Sequence, residues 1–261
     1  MAAVEVTVEN HIATVLLNRP EAMNSVDPEM RALLHQTWER IRTDEDIWVA
    51  IITGAGDKAF STGSDLKKTM PIQESFARQT FGPPIAGAGA MVSGLETDKP
   101  LIAAINGYAM AGGMELALAC DIRICSRNAQ FALSEVKVGS IPGSGGTQRL
   151  PRAVSLSNAM LMLLTGDRID ADEAYRIGLV SKVLPPDELM PAARALAEKI
   201  AANAPLSVRA VKRLVRDGLD LPLAQAIDME RYVFGLLYAS EDRIEGRKAF
   251  AEKRKPNYKG R

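Results

Sequence analysis

Asn106-Gly-Tyr-Ala-Met-Ala-Gly-Gly-Met-Glu-Leu-Ala-Leu-Ala-Cys120 is the stretch on which the fold class turns. It follows the apolar run Leu101-Ile-Ala-Ala-Ile105, which reads as a buried strand. A small-residue turn comes next, and a helix starts near Gly112. Taken as one segment, residues 101–119 carry a single charge, Glu115, and invite a membrane reading. Asn106, Gly107, Gly112 and Gly113 break the segment into runs too short to span a bilayer, so a strand followed by a buried helix is expected. Glycine at a helix start leaves backbone N–H groups open to an anionic ligand. Glu115 falls in the first turn, flanked by Met114, Leu116, Ala117 and Leu118. A carboxylate among such neighbours either takes part in chemistry or merely suits the positive end of the helix; the segment alone leaves both readings open.

The same order of apolar strand, small-residue loop and helix recurs at residues 51–65 and more loosely at 122–138, without a strict period. Upstream, Val4, Val6 and Val8 alternate as in a half-buried strand, and residues 12–17 and 47–53 are rich in β-branched side chains. Asp27 and Pro28 form an N-cap and first-turn pair. The helix they open carries Met30, Leu33, Leu34, Trp38 and Ile41 on one stripe. After Thr147 the texture becomes helical, at residues 170–177, 186–203, 206–215 and 221–238. A last helix is capped by Ser240 and stopped by Pro256. The chain divides into an α/β body over residues 1–195 and a helical end over 196–261.

Other motifs are weaker singly. Gly54-Ala-Gly-Asp-Lys-Ala59 matches G-x-G-x-x-A, but Phe60-Ser-Thr-Gly-Ser64 comes next as a loop where a dinucleotide site needs a helix. No phosphate-binding G-x-x-x-x-G-K-[ST] and no G-x-S-x-G nucleophile elbow are present. His11 falls between two strands and His35 within an amphipathic helix, positions that suit surface residues better than catalytic bases. Ser134 reads as a cap, with Glu135 an exposed first-turn acid. Gly139-Ser-Ile-Pro-Gly-Ser-Gly-Gly-Thr-Gln-Arg-Leu150 either binds phosphate or makes a tight turn beside a site. In Lys58-Ala-Phe-Ser-Thr-Gly-Ser-Asp-Leu-Lys67 a glycine turn exposes the Ser64 N–H, with Asp65 placed as a helix cap.

Composition narrows the function classes. Of 261 residues 47% are apolar, and 32 basic side chains balance 32 acidic ones, which excludes a disordered or polybasic chain and disfavours bulk nucleic-acid binding. The opening Met-Ala-Ala-Val-Glu has neither a basic start nor an apolar run, so no secretory signal is expected. Cys120 and Cys125 would point to opposite faces of an extended segment, which disfavours a bridge, and no cysteine or histidine cluster has metal spacing. A cytoplasmic location fits. From Leu206 onward 13 basic residues face 8 acidic ones, a local surplus of five.

Together, residues 60–67, 106–120 and 131–150 resemble, in order and spacing, the core motifs of the enoyl-CoA hydratase/isomerase (crotonase) family. The likeness extends to Leu17-Asn-Arg-Pro20, Thr165-Gly-Asp-Arg-Ile169 and Glu241-Asp-Arg-Ile-Glu-Gly246. It is greatest to the hydratases, because both catalytic glutamate positions are filled, by Glu115 and Glu135. The resemblance implies an α/β crotonase-like spiral of β-β-α repeats with a C-terminal helical trimerisation region, assembling as a trimer or a dimer of trimers. It implies backbone N–H donors at Ser64 and Gly112 forming an oxyanion hole. Coenzyme A contacts fall at Ala22, Thr62, Asp65, Leu66, Lys67, Phe234, Phe250 and Lys253, partly across a subunit boundary. The implied substrate is a 2-enoyl-CoA thioester, with no metal and no cofactor beyond the coenzyme A that the substrate itself carries.

Three positions depart from the family pattern. Glu21 stands where many relatives have a basic residue, Ser134 replaces the usual proline, and Ser64 replaces a commoner alanine. Residues 69–95 show no match; Met70, Phe76, Phe81 and Met91 either line an apolar acyl pocket or pack the core. Two other readings keep the fold: an enoyl-CoA isomerase or hydroxyacyl-CoA dehydratase on the same site, and a non-catalytic or RNA-binding homologue using the basic tail Lys253-Arg-Lys-Pro-Asn-Tyr-Lys-Gly-Arg261.

Overall fold

The computed structural model describes residues 2–69 and 91–261. Its strands form two sheets. The larger takes β1 (Val4–Glu9), β2 (Ile12–Leu17), β3 (Val49–Gly54), β5 (Leu101–Ile105), β7 (Ile122–Ser126) and β10 (Lys182–Leu184), in that spatial order. The smaller takes β4 (Ala59–Ser61), β6 (Tyr108–Met110), β8 (Gln130–Ala132) and β9 (Ile169–Asp170). The chain alternates between them. β3, β5 and β7 each hand over, within a few residues, to β4, β6 and β8, and each pair is followed by a helical segment: Leu66–Thr69, Gly112–Ala119 and Glu135–Val138. This is the expected crotonase-like β-β-α spiral.

The opening hairpin turns through Asn10 and His11, both at positive φ, the geometry of a two-residue turn that matches strand twist. His11 stacks on Trp48 with ring centroids 3.9 Å apart and bonds the Asp46 carbonyl, a structural role. Strands β2, β3, β5 and β7 pair in parallel. They are buried on both faces, hence the unbroken apolar runs in place of alternation. On one face Val15, Ala50, Ile52 and Ala103 meet the Pro28–Thr43 helix through Met30, Leu34, Trp38 and Ile41. Asp27 caps that helix as expected, accepting the Met30 N–H at 2.9 Å. On the other face Ile12, Val49, Ile51, Ile102 and Ile124 meet Leu189, Ala193 and Ala197 of the Pro186–Ala201 helix.

That helix spans residue 195, and its buried side chains pack on the sheet as far as Ala197. The helical end comprises Pro205–Gly218 and Leu223–Leu237, which pack on each other, and Glu241–Ala251. Ser240 caps the last helix by accepting the Arg243 N–H. It ends at Ala251, short of Pro256, because Lys253 turns to φ 55° and the tail folds back. The buried Asp242 carboxylate accepts the N–H groups of Lys259 and Gly260, and Arg254 pairs with Glu245 and Glu252.

Candidate active site

The small sheet places the site. β4, β6 and β8 are adjacent and parallel, about 4.8 Å apart as neighbouring strands are. Immediately beyond their ends come Gly63 and Ser64, then Ala111 and Gly112, then Ser134 and Glu135. The three groups of interest therefore leave one edge of one sheet in a row.

Two backbone donors stand side by side there. Gly63 lies at φ +82°, and a β-carbon on it would fall 2.7 Å from the Gly112 nitrogen. A β-carbon on Gly112 would fall 3.9 Å from the Ser64 nitrogen. On either side of Ser64 the backbone is engaged with Val26: its N–H bonds the Gly63 carbonyl at 2.8 Å, and its carbonyl takes the Asp65 N–H at 3.0 Å. The Ser64 N–H itself has no backbone acceptor among the described residues. Gly112 is the first residue of its helix, where N–H groups lack an intrahelical acceptor. Ala111, before it, sits at φ 48° and ψ −124°, an uncommon conformation for a residue with a β-carbon. The Met91 side chain adjoins the pair, 3.8 Å from the Gly112 β-position and itself buried.

Glu115 is 2% exposed, one turn into the Gly112–Ala119 helix. Its Oε1 accepts two backbone N–H groups, from Ser144 at 2.6 Å and from Gly146 at 2.9 Å. The glycine-rich loop thus cradles a carboxylate of the protein itself, and this decides between the two open readings of that loop in favour of a tight turn beside a site. The approach is close. A β-carbon on Gly146 would lie 2.9 Å from Pro142 Cβ, 3.0 Å from Leu133 Cδ1 and 3.2 Å from Glu115 Cγ.

Glu135 opens the short Glu135–Val138 turn after β8. Ser134 occupies the N-cap position but its side chain makes no capping bond, and Glu135 is only half-exposed, so the plain capping account fails. Its Oε2 is buried and has no hydrogen-bond partner among the described residues. Burial pushes the Glu135 carboxyl above the usual carboxylate range; its own backbone N–H opposes this, and the Glu115 charge adds to it. One carboxylate is pinned by two donors, while the other is held in conditions that favour its protonated form.

The other expected residues are spread over both halves of the chain. The Ser64 hydroxyl lies 3.4 Å from Arg31 Nη2. The Asp65 carboxylate serves the scaffold: it pairs with Arg19 at 3.1 Å and accepts the Lys67 N–H at 3.2 Å. Leu66, Lys67 and Glu21 are exposed, and Ala22 is half-buried at the end of the Pro20–Ala22 turn. Thr62 lines a cavity of about 370 Å³ with Met110, Ser134, Lys137 and Arg168. Arg168 sits 5.4 Å over the Tyr108 ring and has no ion-pair partner among the described residues; it lies in the Thr165–Ile169 motif, where its identity as a cation was the available signal. Phe234, Phe250 and Lys253 are exposed on the helical end, and no hydrogen bond, ion pair or ring contact among the described residues links them to Glu115 or Glu135. The Phe234 ring contacts Tyr238 and Arg243 instead. Met70, Phe76 and Phe81 lie outside the described residues.

Residues 54–59 connect β3 to β4 directly, which removes the dinucleotide reading. Among the described residues no group of three or more His, Cys, Asp or Glu side chains is placed to hold a metal ion, and none of the helices is long and apolar enough to cross a membrane. Cys120 and Cys125 are free and buried, and burial above all pushes each thiol up to about 12.

A family model described as "Enoyl-CoA hydratase/isomerase" matches residues 7–261. An (E)-benzylidenesuccinyl-CoA hydratase of Thauera aromatica is 52% identical over 259 residues, covering 98% of this chain and 99% of that one. A crotonyl-CoA hydratase of Syntrophomonas wolfei is 40% identical over 250 residues, covering 96% and 95%. Among solved structures, an enoyl-CoA hydratase of Bacillus anthracis superposes with a TM-score of 0.90 at 37% identity, covering 99% of each chain.

Proposed function

The chain belongs to the enoyl-CoA hydratase/isomerase family, and from that premise we propose that it reversibly adds water across the 2,3 double bond of a 2-enoyl-CoA thioester. The observation that carries this reading is the unlike pair of carboxyl groups, Glu115 pinned and Glu135 raised, beside the Ser64 and Gly112 donors. Enoyl-CoA hydration is also the activity carried in the names of several relatives.

Water adds poorly to an isolated alkene, but a conjugated thioester shifts charge onto its carbonyl oxygen as the new bond forms. The Ser64 and Gly112 N–H groups form the oxyanion hole for that oxygen; one such donor typically contributes ~2.7–4 kcal/mol. Glu115 accepts a proton from water as its oxygen bonds Cβ, and Glu135, protonated, donates to Cα. The product carries hydroxyl on Cβ and the new hydrogen on Cα. Return of the proton from Glu115 to Glu135 through water restores the site. Opposite roles for two carboxyl groups require environments that separate their protonation states, and the raised Glu135 suits the acid. The reaction so written calls for no resident cofactor; coenzyme A arrives as part of the substrate.

Lys67, Lys253 and Arg168 supply charge for the coenzyme's phosphates. Ala22, Thr62 and Leu66 offer it backbone contacts, and Phe234 and Phe250 flank it from a neighbouring subunit. Self-association as a trimer or a dimer of trimers is supported by apolar side chains left exposed on the helical end, among them Val211, Val215, Leu219, Leu223 and Leu236. The two buried free thiols suit the cytoplasm. The basic tail is an unfavourable RNA surface, since Arg254 and Arg261 are tied to Glu245, Glu252 and Glu241.

The direct test is hydration of crotonyl-CoA, longer enoyl thioesters and an aryl-substituted enoyl-CoA, the last because of the Thauera relative. Turnover on at least one is expected; none on any of them overturns the reading. Double-bond migration that survives loss of one glutamate but not the other would instead assign an isomerase.

A further inference from the structure

A second charged cavity lies at the far end of the body from the glutamate pair. Lys99 stands just before β5, while the Asn106–Gly112 turn follows its other end; five residues at about 3.3 Å each separate the two by roughly 16 Å. The cavity holds about 490 Å³ and is lined by four cations, Arg42, Lys99, Arg209 and Arg216, and two acids, Glu96 and Asp98.

Part of this charge is compensated. Arg42 pairs with Glu39, and Arg216 pairs with Asp98 at 3.2 Å and Asp217 at 2.8 Å. Lys99 and Arg209 lack such close pairing. Lys99 is 4% exposed, its ammonium donates 2.5 Å to the Asp44 carbonyl, and it has no ion pair among the described residues. Arg209 Nε is buried without an acceptor, and its guanidinium makes no hydrogen bond or ion pair among the described residues. Burial, with Arg209 adding, pushes Lys99 down to about 8 against the opposing charges of Asp44 and Glu45. A buried ammonium beside a buried, unbonded guanidinium nitrogen is unfavourable even with Asp44 and Glu45 nearby, and an anion reaching both removes part of that cost.

We propose that this cavity binds a phosphate-type dianion, with the Arg209 guanidinium and the Lys99 ammonium as its principal donors. A tetrahedral phosphate presents oxygens to a planar fork and to a point charge at once, which a single carboxylate does less well. The ligand is inorganic phosphate or the terminal phosphoryl group of a nucleotide. Its position has a structural consequence. Lys212 of the Pro205–Gly218 helix already donates to the Lys99 carbonyl at 2.8 Å and pairs with Asp121 at 2.8 Å. The anion would add a cross-link between that helix and the start of β5.

The test uses the full-length protein and inorganic phosphate, with thermal melting followed against chloride at matched ionic strength. A saturable rise in melting temperature is expected in the wild type and in Lys67→Gln, which alters only the coenzyme side. Arg209→Gln is expected to weaken the apparent phosphate affinity roughly tenfold, as for one lost charge-assisted hydrogen bond, with hydration kinetics unchanged. Lys99→Met provides a second variant should Arg209→Gln fold poorly. Displacement of phosphate by 5′-AMP, read by phosphorus NMR in Lys67→Gln, assigns a nucleotide source; its absence assigns the free ion. A rise no larger than that in chloride, one that survives Arg209→Gln and Lys99→Met, or one lost in Lys67→Gln overturns the proposal.

Discussion

A β-carbon on Gly63 would stand 2.7 Å from the Gly112 nitrogen, so the two turns that carry the backbone donors touch only because residue 63 has no side chain and accepts φ +82°. Gly63→Ala therefore has to separate them. Loss of one aligned donor lowers kcat by about 10²–10³ in comparable sites, and that is the expected effect on enoyl-CoA hydration, with a much smaller change in KM. A variant that folds and keeps wild-type kcat would remove the donor pair from the mechanism.

Glu115→Gln retains an oxygen able to accept the Ser144 and Gly146 N–H groups, so the loop should stay in place while the base is lost. A fall in kcat of about 10²–10⁴ is expected with little change in melting temperature. Steady-state hydration rates and a thermal scan together separate this from simple misfolding.

Glu135 gives a prediction of opposite sign for stability and activity. Its carboxyl is raised in the folded state, chiefly by burial, so between the ordinary carboxylate range and its raised value the native chain binds more protons than the unfolded one. Stability from this group is complete below that window and falls as pH rises through it. Glu135→Gln should then melt higher than the wild type at neutral pH, with the difference closing near pH 4, while hydration is abolished. An equal difference at both pH values would contradict the assignment.

Gly146→Ala tests the cradle without touching a titratable group. The new methyl meets Pro142, Leu133 and Glu115 Cγ at 2.9–3.2 Å, so the loop and the glutamate it cradles must give by a few tenths of an ångström. A misplacement of about 1 Å costs about 10² in rate, so a shift of a few tenths should cost roughly 2–10-fold in kcat, exceeding any rise in KM.

Arg168→Gln should do the reverse. Arg168 lies in the cavity beside Thr62 without a carboxylate partner among the described residues; on its proposed role in binding, KM for an enoyl-CoA should rise roughly 5–10-fold with kcat nearly constant. Isothermal titration with coenzyme A alone provides the same readout without turnover.

The elements with strong local signals are legible in the sequence. Asp27-Pro28 marks its helix to the residue, and the apolar runs of β2, β3 and β5 follow from burial on both faces. β6 is not legible, since Tyr108-Ala-Met110 is too short to show a period and sits inside a stretch that reads as a turn. β10 at Lys182–Leu184 is hidden among helices for the same reason. In the Pro186–Ala201 helix two of the three buried side chains are alanine, a weak apolar signal, so its packing on the large sheet is not legible although the helix is. Glu115 stands out by its neighbours. Glu135 does not, because the burial of its Oε2 and the charge beside it come from residues distant in sequence.

Ser64, Gly112 and Glu135 hang from consecutive rungs of one parallel ladder, and the rung spacing belongs to the peptide backbone. Substitution cannot lengthen it. Two of the three hooks are themselves main-chain groups, present whatever side chain is carried, whereas the third takes its identity from position 135. On the proposed assignment, such a rack can be re-equipped by an exchange at position 135, from hydration to a double-bond shift, while the distance between oxyanion and proton carrier is kept by the weave of the sheet.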